Sequence, residues 1–295
     1  MSPFWTAAAP LTLLFLTGCS GGVLEPQGTI GVAQRIILFN SLAIMLAVVL
    51  PTILTACVFA WWFRASNRKA RYLPDWAYSG RIELIVWSIP ILVILFLGGV
   101  IWIGSHDLDP GKPIASDRRP VEVQVVSLDW KWLFIYPEEG IASVNHLVVP
   151  AGVPVHFSLT SASVMNTFFV PQLGSMIYTM NGMETQLYLQ ADRPGVFYGQ
   201  SAHFSGDGFS DMNFALHAMP QDAFAGWITA AQQAGPALDL PGYAALAEQS
   251  RNVRPFTYRQ VDPALFRAIV TQQVPPGPGP RVGNGGTPAH TRTEN

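Results

Sequence analysis

The sequence predicts an α+β membrane protein in which a two-helix transmembrane hairpin precedes an external all-β sandwich and short C-terminal helices. Two long uncharged apolar runs predict the hairpin, and later short β-branched and aromatic runs separated by Gly, Pro and Asn predict the sandwich. Charged residues make up 12% of the 295 residues and apolar residues 49%, which is unusual for a soluble chain. With a net charge of −2, no basic surface is available to neutralise phosphates, so we expect no nucleic acid partner.

The first 18 residues are predicted to be a lipoprotein-type signal peptide. Residues 4–16 form an apolar stretch that is too short to span a membrane and that runs into Leu16-Thr17-Gly18-Cys19. This ending is similar to the bacterial lipobox, in which the signal is cut before the cysteine and the thiol is lipidated. We therefore expect lipidation of Cys19 and an external N-terminal segment over 19–35. The alternative is a free structural cysteine, since basic residues are missing from the N-terminus.

The transmembrane hairpin is predicted over 36–103. Its uncharged runs, 36–63 and 84–103, are each long enough as helices to cross a hydrocarbon core of ~30 Å. The connector, 64–83, carries an excess of basic residues: Arg64, Arg68, Lys69, Arg71 and Arg81. Positive charge is retained on the cytoplasmic side, so the N-terminus and everything after residue 103 are expected to lie outside.

Four segments follow the hairpin. Residues 104–120 are polar and rich in turn-forming residues, which predicts a linker. The strand-like runs of 121–219 predict an antiparallel sandwich. In 220–273 the apolar period becomes helical, with Asp222 and Asp262 as candidate helix starts. The Pro- and Gly-rich tail, 274–295, is predicted to be disordered.

Two spans followed by an external sandwich resemble subunit II of the haem-copper respiratory oxidases. In the cytochrome c oxidases of that superfamily the sandwich is a cupredoxin whose binuclear copper centre uses one His before V-P-x-L-G and a later C-S-E-x-C-G-x-x-H-x-x-M run. The corresponding positions in this sequence are Asn166, Ser201, Ser205, Phe209 and Met212. Only the methionine is retained. Because such a centre needs bridging thiolates and imidazoles, we expect no metal in this chain.

A retained frame with lost ligands is similar to subunit II of the bacterial cytochrome bo-type ubiquinol oxidases. The segments NTFFVPQLGSMIYTMNGMETQLYL, FSGDGFSDMNF, SLDWKWLFIYPEEGIASVN and RIELIVWSIPIL carry this resemblance, which covers about residues 10 to 270. It implies a proton-pumping complex of the inner membrane that oxidises ubiquinol and reduces oxygen to water.

The resemblance also implies the partners and cofactors. Haems and copper are expected in subunit I and none in this chain, whose sandwich lies in the periplasm and whose partners are subunit I, the other subunits and membrane lipid. The alternative is a lipid-anchored, non-enzymatic cupredoxin-like receptor or copper-handling module.

Two single residues have competing interpretations. Glu83 is a carboxylate at the membrane edge and therefore a functional candidate, and the resemblance implies that it lies at the mouth of the proton channel of subunit I. The alternative is an acid that complements the helix dipole. Trp130 aligns with the aromatic group that receives electrons beside the copper of the relatives. The alternative is an aromatic side chain buried between sandwich and helices.

The lipoprotein-type signal predicts the mass of the mature chain. Intact-mass analysis of the protein from its membrane should find residues 1–18 removed and Cys19 carrying acyl chains. Cys19→Ser should remain in the membrane, because two apolar helices anchor a chain far more firmly than acyl groups do. Wild-type protein that retains residues 1–18 would contradict the prediction.

Overall fold

The structure, a computed structural model, describes residues 22–71 and 73–279. The predicted signal peptide, Cys19 and the tail from residue 280 lie outside the described residues. The chain forms two compact units. Residues 33–108 make up one, and the other consists of the residues up to 32 together with those from 109 onward.

The first unit consists mainly of two long helices, α1 (Thr29–Trp62) and α2 (Gly80–Asp107), and we name it the membrane unit; the first four residues of α1 belong to the other unit. Both are longer than the predicted spans, because helical hydrogen bonding continues past the uncharged core into polar flanks such as Arg35 and Asp107. The first helix therefore begins inside the segment predicted over 19–35, and the second extends into the predicted linker 104–120. Both have high mean hydropathy, 2.6 and 2.7, and neither has its apolar window buried within the chain. Such helices suit a bilayer rather than a protein interior.

The second unit is a sandwich of two large sheets. The first sheet has the order β12-β3-β2-β1-β5-β8, the second β4-β10-β9-β6-β7, and β11 pairs with β13. The strands are β1 (Val121–Leu128), β2 (Lys131–Tyr136), β3 (Ile141–Val144), β4 (His146–Pro150), β5 (Val155–Ser161), β6 (Asn166–Phe169), β7 (Met176–Thr179), β8 (Thr185–Leu189), β9 (Gly195–Ser201), β10 (Asn213–Met219), β11 (Ala237–Leu238), β12 (Phe256–Tyr258) and β13 (Gln260–Val261).

The sequence predicted an antiparallel sandwich, but the sheets also contain parallel strand pairs. β1 pairs with β5 and β4 pairs with β10 in parallel, as does the small β11–β13 pair. A parallel pair needs a long connection between its strands. The three strands between β1 and β5, and the longer stretch between β4 and β10, provide it.

Strand β2 is buried along its whole length and divides the interior into two cores. On one face Trp132, Phe134 and Tyr136 enter the core between the sheets. There the rings of Phe134 and Phe214 have centroids 5.1 Å apart, and those of Phe168 and Phe214 lie 5.2 Å apart. On the other face Leu133 and Ile135 pack in a second core with residues of the C-terminal segment.

The C-terminal segment contributes strands as well as helices. Its helices are α3 (Gln221–Gln233), α4 (Leu240–Ala247) and α5 (Leu265–Val270). Asp222 lies in the first turn of α3, whose N-cap is Pro220, so the helix does not start at Asp222 as predicted. Strand β12 pairs with β3, which covers a sheet edge that would otherwise be open. The prediction of a helical segment over 220–273 was therefore incomplete.

The beginning of the predicted tail lies against the sandwich. Gly277 N donates to Ala162 O over 2.8 Å, and Val274 packs against the second core. Residues 274–279 therefore belong to the folded unit, because a backbone hydrogen bond and an apolar contact hold them. The predicted start of the disordered tail at residue 274 is too early.

Residues 22–32, which we name the N-terminal strap, lie on the sandwich. Gln27 N donates to Gln172 O over 2.7 Å, and Gln27 O accepts from Asp192 N over 2.9 Å. Gly31 N donates to Leu173 O over 3.0 Å. Gly28 is buried, and a Cβ added to it would lie 2.2 Å from Gln190 O. The strap therefore requires glycine at this position.

Gly28→Val should detach the strap. The valine side chain cannot fit beside the Gln190 carbonyl, and each backbone hydrogen bond lost contributes about 0.5–1.5 kcal/mol. Hydrogen exchange on the purified protein should show lost protection at the amides of Gln27 and Gly31. Gly22→Val is the matched control, since nothing lies within 4 Å of its added Cβ. Equal protection in the two variants would refute this role of Gly28.

Candidate functional site

The residues aligned with a copper centre come together at one end of the second sheet. Asn166 begins β6 and Ser201 ends β9, and these two strands pair through Phe168 and Ser201. The loop that leaves β9 returns through a 3₁₀ turn at Phe209–Asp211 to Met212, which precedes β10. Ser201 N donates to Met212 O over 3.1 Å. This hydrogen bond closes the loop.

Hydrogen bonds join the first two of these positions. Ser201 Oγ lies 3.1 Å from Asn166 Oδ1 and 3.2 Å from His203 O, so its single hydrogen is donated to one of two acceptors. Ser201 Oγ also accepts from Thr167 N over 3.4 Å. Asn166 Nδ2 donates to Val164 O over 3.3 Å. Asn166 and Ser201 are 1% and 4% exposed, so these bonds replace solvation that burial removes.

The remaining positions offer little to a metal. Ser205 Oγ lies 4.0 Å from Met212 Sδ, and both residues are buried. The Phe209 ring packs against Phe204, with centroids 5.6 Å apart. One thioether is the single sulfur at the aligned positions, and serine hydroxyls cannot replace bridging thiolates. The donor set therefore does not fit a binuclear copper centre. In residues 22–71 and 73–279, no group of three or more His, Cys, Asp or Glu side chains is placed to hold a metal ion.

Trp130 lies beneath the same loop. Its side chain is 5% exposed, and Nε1 donates to Ser205 O over 3.0 Å. A Cβ added to Gly208 would lie 2.4 Å from the ring, so the loop backbone rests directly on the indole. The Arg251 guanidinium lies 5.4 Å from the ring centroid. Trp130 is therefore a buried side chain that packs beneath the loop.

Lys131, the next residue, is a buried cation that the sequence analysis did not single out. Its Nζ donates to Glu248 O and Ser250 Oγ over 2.6 Å each, and to Asp129 O over 3.3 Å. Burial lowers the pKa of Lys131 to about 8, and the charges of Asp129 and Glu248 oppose this shift. These bonds tie the C-terminal segment to β2. The sequence signal for this site was a lysine between two tryptophans in a strand-like run, a position that favours burial. A buried ammonium needs several hydrogen-bond acceptors.

The rings of His217 and His203 contact different aromatic neighbours. The His217 ring contacts His146, with centroids 4.6 Å apart, whereas the His203 ring contacts Tyr178 at 5.9 Å. Burial and the neighbouring His217 lower the pKa of His146.

Glu83 belongs to the membrane unit. It lies in the first turn of α2, where its backbone N donates to Ser79 O over 3.0 Å, and its side chain is exposed. An acid in the first helical turn is favourable for the helix dipole. Its exposure also leaves the carboxylate open to water or to another protein.

Family models match two segments of the second unit, which we name the periplasmic unit. Residues 123–219 match the family model described as cytochrome c oxidase subunit II, periplasmic domain, and residues 232–277 match the COX aromatic rich motif. The second match includes the C-terminal elements that cover the outer face of β2.

Individual relatives match most of the chain. The chain is 46% identical to cytochrome bo(3) ubiquinol oxidase subunit 2 of Pseudomonas aeruginosa, over 91% of this chain and 80% of that protein. It is 46% identical to ubiquinol oxidase subunit 2 of Acetobacter aceti, over 88% and 85%. It is 38% identical to quinol oxidase subunit 2 of Bacillus anthracis, over 81% and 84%.

These matches confirm the predicted fold class and the resemblance. They also agree with a bacterial membrane location in which the sandwich lies on the periplasmic side. Two apolar helices, a periplasmic oxidase domain and relatives that match along nearly the whole chain together show that this protein belongs to the subunit 2 family of bacterial cytochrome bo3 ubiquinol oxidases.

Proposed function

We propose that this chain works as the metal-free subunit II of a proton-pumping complex that oxidises ubiquinol and reduces oxygen to water. The observation that carries the proposal is the hydrogen-bonded network of Asn166 and Ser201 in a loop that keeps the frame of a copper-binding relative. A loop that had simply lost its metal would leave buried polar groups without partners. The described Asn166, Ser201 and Ser205 side chains leave none.

The electron path then bypasses this chain. With hydroxyl, amide and phenyl groups at the aligned positions, no redox centre accepts electrons here. Haems and copper belong to subunit I, and ubiquinol delivers its electrons there. Trp130 serves as packing beneath the loop, because its indole donates to Ser205 O and supports the Gly208 backbone.

The apolar helices supply the contact with subunit I and with membrane lipid. Large apolar side chains along both helices are more than half exposed, among them Leu54, Phe59, Ile94, Leu95 and Phe96. Such surfaces are stable only against lipid or other transmembrane helices.

Glu83 supplies a carboxylate at the proton entry. It lies at the end of α2 that follows the basic connector, which is the cytoplasmic end of that helix. A carboxylate in this position can collect a proton from bulk water and pass it to a channel in the partner subunit. We assign it a direct role in proton uptake, and no other ionisable residue of this chain is assigned one.

Purification through a tag on this chain tests the proposal. The expected product is a haem-containing complex with ubiquinol oxidase activity, whose copper is that of the oxygen site alone. A haem-free monomer in mild detergent would contradict it and would favour the receptor or copper-handling alternative.

The same preparation tests the loop. The variant Asn166→His, Ser201→Cys, Ser205→Cys and Phe209→His, combined, should gain the absorption of a purple copper centre, because the frame is retained and thiolates and imidazoles suit copper. A wild-type complex that already shows this absorption would refute the metal-free assignment. A variant that binds no copper would contradict the proposal that the loop keeps its frame.

Neutral substitution of Glu83 should slow turnover with unchanged assembly. We expect Glu83→Gln and Glu83→Ala to lower ubiquinol oxidation severalfold and Glu83→Asp to retain part of the rate, since the acid is kept. Haem content should stay at the wild-type value, because a first-turn acid contributes only ~0.3–1 kcal/mol to a helix.

The matched control is Asp75→Asn, which removes an acid of the same connector outside the helix. Its turnover should equal that of the wild type. Wild-type turnover in both neutral Glu83 variants would leave Glu83 as a dipole-complementing residue.

A further inference from the structure

We propose that the cytoplasmic end of the helix pair contains a binding site for one anionic phospholipid. The end of α1, the connector and the start of α2 line a cavity of about 730 Å³. Its walls include the apolar side chains Phe59, Trp62, Leu73 and Trp76, and its cations are Lys69 and Arg71. The proposed site takes the lipid phosphate at the two cations and the acyl chains along the apolar wall.

The apolar wall consists largely of aromatic side chains that are exposed. Phe59 is 58% exposed, Leu73 51% and Trp76 59%. Tryptophan is favoured at the membrane interface, where one side of the ring meets hydrocarbon and the other meets headgroups. The tryptophans of the wall thus suit the depth at which a phospholipid changes from headgroup to acyl chain.

The cations of the cavity are available for an anion. Within the part of the chain that the structure describes, no ion pair joins Lys69 or Arg71 to an acid. Arg64 differs, because its guanidinium donates to Trp61 O and Ser66 Oγ and lies over the Trp61 ring. Two cations beside an apolar wall complement a phosphodiester that carries acyl chains.

The charge balance of the connector supports an anionic ligand. The connector contains five basic residues but only two acidic ones, Asp75 and Glu83. Anionic lipids of the cytoplasmic leaflet are attracted to such basic segments near the membrane surface. Inorganic phosphate would contact the cations but leave the aromatic wall uncovered, so a lipid fits the cavity better. The inference needs only the membrane topology, and its failure would leave the proposed function intact.

Native mass spectrometry of the complex purified from its membrane tests the site. The double variant Lys69→Ala, Arg71→Ala should retain one phosphatidylglycerol or cardiolipin molecule fewer than the wild type. The matched control, Arg68→Ala with Arg81→Ala, removes the same charge from the same connector but no residue that lines the cavity. It should retain the wild-type number. Equal lipid counts in all three proteins would overturn the proposal, as would an equal loss in the control.

A second measurement tests the wall and identifies the occupant. Trp76→Ala keeps both cations, yet it should also lose the lipid, since the acyl chains lose their contact. A photoreactive phenylalanine analogue in place of Leu73 should crosslink to phospholipid in the intact complex. A crosslink to another subunit would overturn the proposal. Native mass spectra that show bound inorganic phosphate in place of the lipid would overturn it as well. Haem content and turnover, measured in parallel, would report separately on the proposed function.

Discussion

Burial of β2 on both faces is the constraint on which the periplasmic unit depends. Every residue of this strand is buried, so its inward face needs the second sheet and its outward face needs the C-terminal segment. Trp132 and Phe134 meet the aromatic cluster around Phe168 and Phe214. Leu133 and Ile135 meet the apolar side of the C-terminal elements. Both cores include residues of this strand, and hydrophobic burial is the dominant favourable term in folding.

Lys131 adds a polar contact to the apolar outward face. Its ammonium gives the C-terminal segment a defined position, since Glu248 O and Ser250 Oγ accept from it over 2.6 Å. Apolar contact alone would permit the segment to slide, whereas hydrogen bonds to a buried cation do not. Trp130 joins the same segment to the loop through Arg251 and Ser205. The loop, the strand and the C-terminal cover therefore form one connected set of contacts.

Hydrogen bonds tie residues from two strands and one loop together at the end of the second sheet. Here the ties are the contacts of Ser201 with Asn166, His203 and Thr167. Each such bond contributes only about 0.5–1.5 kcal/mol, but a missing partner for a buried polar group costs about 1–3 kcal/mol. Satisfied polar groups thus hold the two strands and the loop together.

The sequence by itself determined the division of the protein and the chemistry of its loop. Uncharged runs of helical length specify membrane helices whatever the packing, and the residue types at Ser201, Ser205 and Phe209 decide which metals the loop could hold. Tertiary structure decided what no local pattern encodes. The contact of the strap with Gln172, the pairing of β12 with β3, the parallel strand pairs and the acceptors of Lys131 all join residues far apart in the chain. The helix α4, capped by Asp239 with Pro241 in its first turn, carried a local start signal that could have been recognised. Its role as a cover for β2 could not, because long-range contacts depend on where the whole chain places each face.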